Sequence, residues 1–230
     1  MKKLLLATTM LGAFAGFASV ARADIVEQGS FTSDHCGCGP QASFGTITLT
    51  DHENGFIDVN ISLLNNNTFS NAGFDVSFGF NLTGNQTIQY TNLNTITWDV
   101  AGALDPNQVK GSLAMDGLGN FEYGVDLTSA GSSGTPPSTL SFTLHSITGA
   151  ALTLASFNEL STTPPGDSPS FMGIDIFSGT NGKTGAIDLT SFHPVPGPLA
   201  GAGIPGLLAA CFTMVGIARR RIGRRLGLTA

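Results

Sequence analysis

Between residues 44 and 189 the chain alternates apolar and polar side chains again and again, and a period of two commits it to strands. The clearest case is Phe74-Asp-Val-Ser-Phe-Gly-Phe-Asn-Leu82, where Phe74, Val76, Phe78 and Phe80 fall on one face. Phe44-Gly-Thr-Ile-Thr-Leu-Thr50 and Phe56-Ile-Asp-Val-Asn-Ile-Ser-Leu63 share the period and are joined by a hairpin-type turn, Asp51-His-Glu-Asn-Gly55. In the second, Phe56 or Ile57 points inward with Val59, Ile61 and Leu63. Shorter strands are predicted at 87–90, 94–100, 111–115, 120–127, 139–145, 151–157, 171–177 and 186–189. Those at 111–115 and 120–127 are placed to pair across Asp116-Gly-Leu-Gly119. Residues 24–41 read as irregular chain, 65–70 as a polar turn, and 129–138 and 161–168 as Gly- and Pro-rich loops. About ten half-buried strands with no helix between them predict an all-β body, a two-sheet β-sandwich of jelly-roll type.

The two ends follow another logic. Lys2 and Lys3 precede an apolar run from Leu4 to Val20, and Ala21-Arg22-Ala23 supplies a small-x-small site. That is the form of a secretory signal peptide, residues 1–23, which signal peptidase cuts between Ala23 and Asp24. At the far end, residues 199–218 are 20 consecutive residues without a charge. As a helix they cross about 30 Å of hydrocarbon. Arg219, Arg220, Arg221, Arg224 and Arg225 follow. Such a cluster stays in the cytoplasm, which places everything before Val195 on the outer side. The domains are therefore 1–23, an ectodomain at 24–194, and a C-terminal segment at 195–225.

Val195-Pro196-Gly197-Pro198, the apolar span and the Arg cluster, in that order, resemble the PEP-CTERM sorting signal that bacterial exosortases recognise and process. The family's usual motif is Val-Pro-Glu-Pro; here Gly197 stands at the glutamate position, and the string from Val195 to Gly206 is similar to a Gly-rich variant. The resemblance covers residues 195–225 alone. It implies an exosortase-like processing enzyme as partner and a mature protein lacking residues after about Val195. It also implies a passage from the inner membrane, with a periplasmic ectodomain, to the cell surface or extracellular matrix, in association with exopolysaccharide or biofilm material. Gly201, Gly203, Pro205 and Gly206 loosen the first third of the span, as a protease that holds its substrate extended requires.

Charge narrows the partners. All 16 acidic residues lie in 24–194, but of the ten basic ones only Lys110 and Lys183 do, leaving two lysines against sixteen carboxylates, or about fourteen net negative charges. Such a surface repels nucleic acid, anionic lipid and acidic polysaccharide, and nucleic-acid binding is set aside. Edge strands with so few lysines lack one usual guard against pairing with another chain, and acidic repulsion takes its place.

Three cysteines are present. Cys211 falls in the apolar span as a small packing residue. Cys36 and Cys38 are one residue apart in His35-Cys-Gly-Cys-Gly-Pro40. They form a local disulfide in a small ring, or pair with another chain in an oxidising compartment, or join His35 as soft-metal ligands; the metal is unknown.

Motifs of catalysis are missing: no Gly-x-Ser-x-Gly elbow, no His-Glu-x-x-His, no phosphate-binding glycine loop. The expectation is a non-enzyme without catalytic residues or a required cofactor. Strand-borne Asp58, Asp75, Glu122 and Asp175 are candidates for a carboxylate pair only in a weak sense and are expected on the solvated face. The four histidines, His35 apart, are expected in solvent. Calcium has hard-oxygen ligands at Asp51, Glu53 and Asn54 in one turn and Asp105 and Asn107 in another, without EF-hand spacing. A calcium-dependent carbohydrate-binding or adhesive module is therefore the alternative reading, and a secreted polysaccharide hydrolase a third. Trp98, Tyr90 and Tyr123 would stack on sugar only if they shared a face, and are expected in the core instead.

Overall fold

The computed structural model describes residues 24–71, 76–84, 86–102, 112–115, 117–128, 135–148 and 150–195. The expected signal peptide, membrane span and Arg cluster, and Pro196, Gly197 and Pro198 of the motif, lie outside these residues. So do Asp75, Asp105, Asn107 and Lys110. Among the described residues no helix is long and apolar enough to cross a membrane.

The chain is nearly all β. Its strands are β1 (Ile25–Asp34), β2 (Gly45–Asp51), β3 (Phe56–Leu63), β4 (Thr68–Phe69), β5 (Phe78–Phe80), β6 (Thr87–Thr91), β7 (Trp98–Gly102), β8 (Leu113–Met115), β9 (Gly119–Phe121), β10 (Tyr123–Leu127), β11 (Thr139–Thr148), β12 (Met172–Phe177) and β13 (Thr184–Val195). All but β8 and β9 join one antiparallel sheet in the order β6-β11-β3-β2-β1-β13-β12-β5-β10-β7, with β4 on β12. The sheet curls until it is nearly a barrel. Where the sequence predicts two sheets, the ladder is continuous, because long β1 and β13 pair with each other through register shifts at Gly29/Phe31 and Phe31/Ser33. Bulges of this kind bend a strand and raise its twist, letting pairing run round a corner.

The curl brings β6, at one end of the sheet, to β10, the strand next to the other end. The Tyr123 hydroxyl on β10 donates to the Gln86 carbonyl at 2.6 Å, and the Tyr90 hydroxyl on β6 donates to the Gly124 carbonyl at 3.4 Å. Inside, Phe78 and Phe80 of β5 meet Phe142 of β11, and Phe80 also meets Tyr90, with ring centroids 5.5 to 6.5 Å apart across the group. Each such ring removes a large apolar area from water and gains from its neighbours' orientation.

A second, smaller core lies on the outer face. Gly173, Gly79 and Gly124 stand side by side on β12, β5 and β10, in register. Onto that bare strip the β8–β9 hairpin lays Leu118 and Phe121, packed with Val76, Leu113, Met115 and Ala186. A Cβ on Gly79 would sit 2.7 Å from the Phe121 ring, and one on Gly173 would sit 2.6 Å from Leu118. Here glycine is required for close approach of the hairpin.

Two local expectations are corrected. Residues 25–34, read as irregular, form ten-residue β1. Its only buried positions are Gly29 and Phe31, and Gly29 is small because the Leu189 side chain occupies the space. Residues 154–157, expected in a strand, form a single 3-10 turn instead. The Ser156 hydroxyl accepts the Thr153 N–H at 3.1 Å, and the Ser156 N–H donates to the Thr153 carbonyl at 2.9 Å, closing the backbone on itself.

Candidate functional site

The Cys36–Cys38 loop begins where β1 ends. Asp34 Oδ1 accepts the backbone N–H groups of Cys36 at 3.0 Å and Cys38 at 3.1 Å, a turn that short acidic side chains favour. Gly37 at φ +64° and Gly39 at φ +104° take conformations that suit glycine. The loop is then pinned from the other end of the chain. The Ser178 hydroxyl donates to the Cys38 carbonyl at 2.8 Å, the Asn181 amide donates to the Gly37 carbonyl at 3.0 Å, and the His35 N–H donates to the Ala186 carbonyl at 3.2 Å. Gly185 leaves room for the Cys36 side chain.

Cys36 and Cys38 are joined in a disulfide with Cα atoms 5.2 Å apart. Cys38 is fully buried and Cys36 partly so. Among the described residues, Asp34, Cys36 and Cys38 are the grouping whose donor atoms lie close enough, within 4.8 Å, for one ion. With the sulfurs bonded to each other, their ligand capacity is taken up. His35, a ligand candidate from sequence, turns elsewhere: its Nε2 lies 3.2 Å from Ser33 Oγ and 3.9 Å from Asp188 Oδ1. Burial pushes the Asp188 carboxyl above its ordinary range, against the Ser33 hydroxyl and His35. Lys183 enters the sequence reading only as one of two basic residues in 24–194, yet its Nζ lies 3.2 Å from the point where a side chain on Gly37 would begin. No local signal gives this away, because the lysine lies about 145 residues along the chain from the cysteines.

A second cluster forms at the start of β1. His52 Nδ1 lies 3.2 Å from Asp24 Oδ1, and His52 Nε2 lies 2.9 Å from Asp58 Oδ2. The Thr143 hydroxyl donates to Asp58 Oδ1 at 2.6 Å. The hydrogen bond to Asp58 raises the His52 pKa, burial opposes it, and Asp24 adds to the rise. Burial works to raise Asp58, but the bonds from Thr143 and His52 and the His52 charge prevail and lower it. His52 is thus paired where the sequence reading left it in solvent. Diagonal placement across the β2–β3 hairpin, with Thr50 opposite Asp58, is the signal that finds the pair.

The remaining candidates are dispersed. Asp51 Oδ1 accepts the Glu53 N–H at 2.7 Å and Asn54 Oδ1 accepts the Phe56 N–H at 3.0 Å, so these oxygens shape the turn. Asp175, expected in solvent, is fully buried on the face that the second core covers, while Glu122 is half-buried. Trp98 and Tyr123 are buried and Tyr90 packs against the core, with the Trp98 ring edge-on to Phe69 at 5.0 Å. His145 stacks on Phe56 at 4.7 Å, and His193 Nε2 lies 3.3 Å from Ser191 Oγ. An open groove beside Gln41, Ser43, Asn65 and Thr180 is lined by amides already engaged with one another, since Gln41 Oε1 accepts from Asn65 at 2.9 Å and Asn67 at 3.0 Å.

Of the four residues expected to form a sorting motif, Val195 ends β13, opposite Val26. Compared with protein-family models, curated proteins and solved structures, the chain matches none.

Proposed function

We propose that the chain is the precursor of an exported, non-enzymatic envelope protein. Signal peptidase removes residues 1–23 at Ala23–Asp24. Residues 199–218 hold the chain in the inner membrane, with Arg219, Arg220, Arg221, Arg224 and Arg225 inside. An exosortase-like enzyme reads Val195-Pro-Gly-Pro198, and the body is displayed at the cell surface or shed into exopolysaccharide matrix. In this reading the curled sheet is a flattened sandwich of jelly-roll type. The acidic body meets polysaccharide through neutral sugars or bridging divalent cations, since acidic polymers are repelled.

The observation that carries the reading is the pairing of Val26 with Val195. β1 begins one residue after the expected first cut, and β13 ends on the first residue of the sorting motif. Antiparallel pairing of neighbouring strands thereby sets the start of β1 beside the end of β13. Both cuts fall at the outer limit of paired backbone, so the body keeps its ladder bonds when the two segments are removed. Fractionating cells with and without the exosortase-like enzyme tests this. Without the enzyme the protein should collect in the inner membrane at its longer C-terminal length; an unchanged distribution would rule the reading out.

A further inference from the structure

One of the two lysines in the exported body stands beside the residue between its two cysteines. We propose that Cys36 and Cys38 form a reversible thiol–disulfide exchange site, oxidised in this structure, that reacts with an external thiol. The proposal is independent of how the protein is sorted.

A bridge spanning one residue closes a very short loop and restricts the unfolded chain little, so stability is a weak reason for it. Nor does the loop need the bridge for its shape. Five hydrogen bonds hold it from Asp34, Ser178, Asn181 and the His35 N–H. The reduced state is provided for as well. Cys36 Sγ lies 3.2 Å from Asp34 Oδ1, and Cys38 Sγ lies 3.8 Å from the Lys183 carbonyl. A disulfide sulfur has no hydrogen to give these acceptors, whereas a thiol has one. Each sulfur thus has a partner in place that only the dithiol uses.

The two sulfurs differ in access, which sets the direction of attack. Cys38 is fully buried and Cys36 is partly exposed. An incoming thiolate bonds to Cys36 Sγ, the Cys36–Cys38 bond breaks, and its electron pair leaves on Cys38, which takes up a proton and donates to the Lys183 carbonyl. A second thiolate attacks the incoming sulfur of the mixed disulfide. Its departure as an external disulfide frees Cys36, which takes the second proton. Two thiols are oxidised and the pair is reduced by two electrons. On a body with about fourteen net negative charges, and with the Asp34 carboxylate 3.2 Å from Cys36 Sγ, the Lys183 ammonium beside Gly37 offsets the repulsion met by an approaching thiolate and a departing one.

The test takes the full chain in detergent, with Cys211→Ser throughout so that Cys36 and Cys38 are its two cysteines, equilibrates it with mixtures of reduced and oxidised glutathione, then counts free thiols by maleimide labelling and intact mass while following unfolding. Reversible conversion of both cysteines, with the unfolding temperature little changed, is expected. Lys183→Gln should slow reduction by glutathione about threefold or more at low ionic strength. Cys38→Ser, which leaves the exposed sulfur, should form a mixed disulfide with oxidised glutathione about tenfold faster than Cys36→Ser. A pair that stays oxidised until the body unfolds, an unfolding that coincides with reduction, a Lys183→Gln rate equal to that of the unaltered protein, or equal rates for the two single-cysteine variants would each overturn the assignment.

Discussion

The β2–β3 ribbon and the β12–β5–β10 strip are both antiparallel and both face the same core, yet their sequences look unlike. Along β2 and β3 every second residue is buried, and the residues between are half-buried or exposed. Along β5 every residue is buried, and β12 is buried for five of its six. The difference is the hairpin on the outside. A strand covered on one face keeps the alternation that marks it, whereas a strand covered on both replaces outward polar residues with glycine, here Gly79, Gly124 and Gly173, or with a buried carboxylate such as Asp175.

Removing the cover should hurt most. Phe121→Ala is expected to cost about 3–5 kcal/mol in urea unfolding, whereas Ser62→Ala, on the exposed side of β3, should stay within about 0.5 kcal/mol. Gly79→Ala should cost about 1–3 kcal/mol through overpacking. Combined with Phe121→Ala it should cost less than the two separately, because the second change removes the ring that the new methyl strikes. Simple additivity would show that the glycine strip and the hairpin are not one unit.

Next comes the seam that closes the curl. Tyr123→Phe keeps the ring and removes the hydroxyl bonded to the Gln86 carbonyl. A loss of about 1–2 kcal/mol is expected, since a half-buried acceptor loses its partner. No loss would mean that the ends of the sheet are held by ring packing alone.

The smallest effects are electrostatic, and they separate the open face from the covered one. His52 has a raised pKa, so its contribution is present below about pH 6.5 and fades as pH rises through its folded value. Asp58 is lowered, so its share is present above about pH 4 and lost on further acidification. Together they act most between those limits, and a half-exposed pair of this sort is worth about 0.2–1 kcal/mol. On the covered face burial raises Asp126 and Asp188, so their ionisation opposes folding, and that opposition is relieved as pH falls through their raised folded values and is gone below about pH 4. Unfolding followed from pH 8 to pH 5 should therefore show stability rising. His52→Asn should flatten that rise. An unaltered profile would show that the His52 cluster carries none of it.

The same contrast explains what could be read from the chain. β3 matches its predicted limits, Phe56 to Leu63, because one face meets water and the period of two is intact. β2 is offset by one residue. The pairing across residues 116–119 was legible from its turn chemistry, and β8 and β9 do pair there. β1 was missed because Gly29 and Phe31 are a poor apolar signature, and the partner that gives Gly29 its meaning, Leu189, is remote in sequence. β13 runs from Thr184 to Val195, well past the predicted 186–189, since Thr190 to Val195 carry no regular alternation and are held in the sheet by pairing with β1. At the cysteine loop the two sulfurs were legible and their surroundings were not. Asp34 is local, but Ser178, Asn181 and Lys183 arrive from a distant hairpin. The burial of Asp175 likewise depends on a cover that local pattern does not contain.

As proposed, the chain is a precursor whose two ends are removed around an intact all-β body. Intact-mass measurement of the protein recovered from the cell surface tests that most directly. The mass should correspond to a chain that starts at Asp24 and ends near Val195, without the arginines at 219–225; a surface form that still carries Arg225 would contradict it.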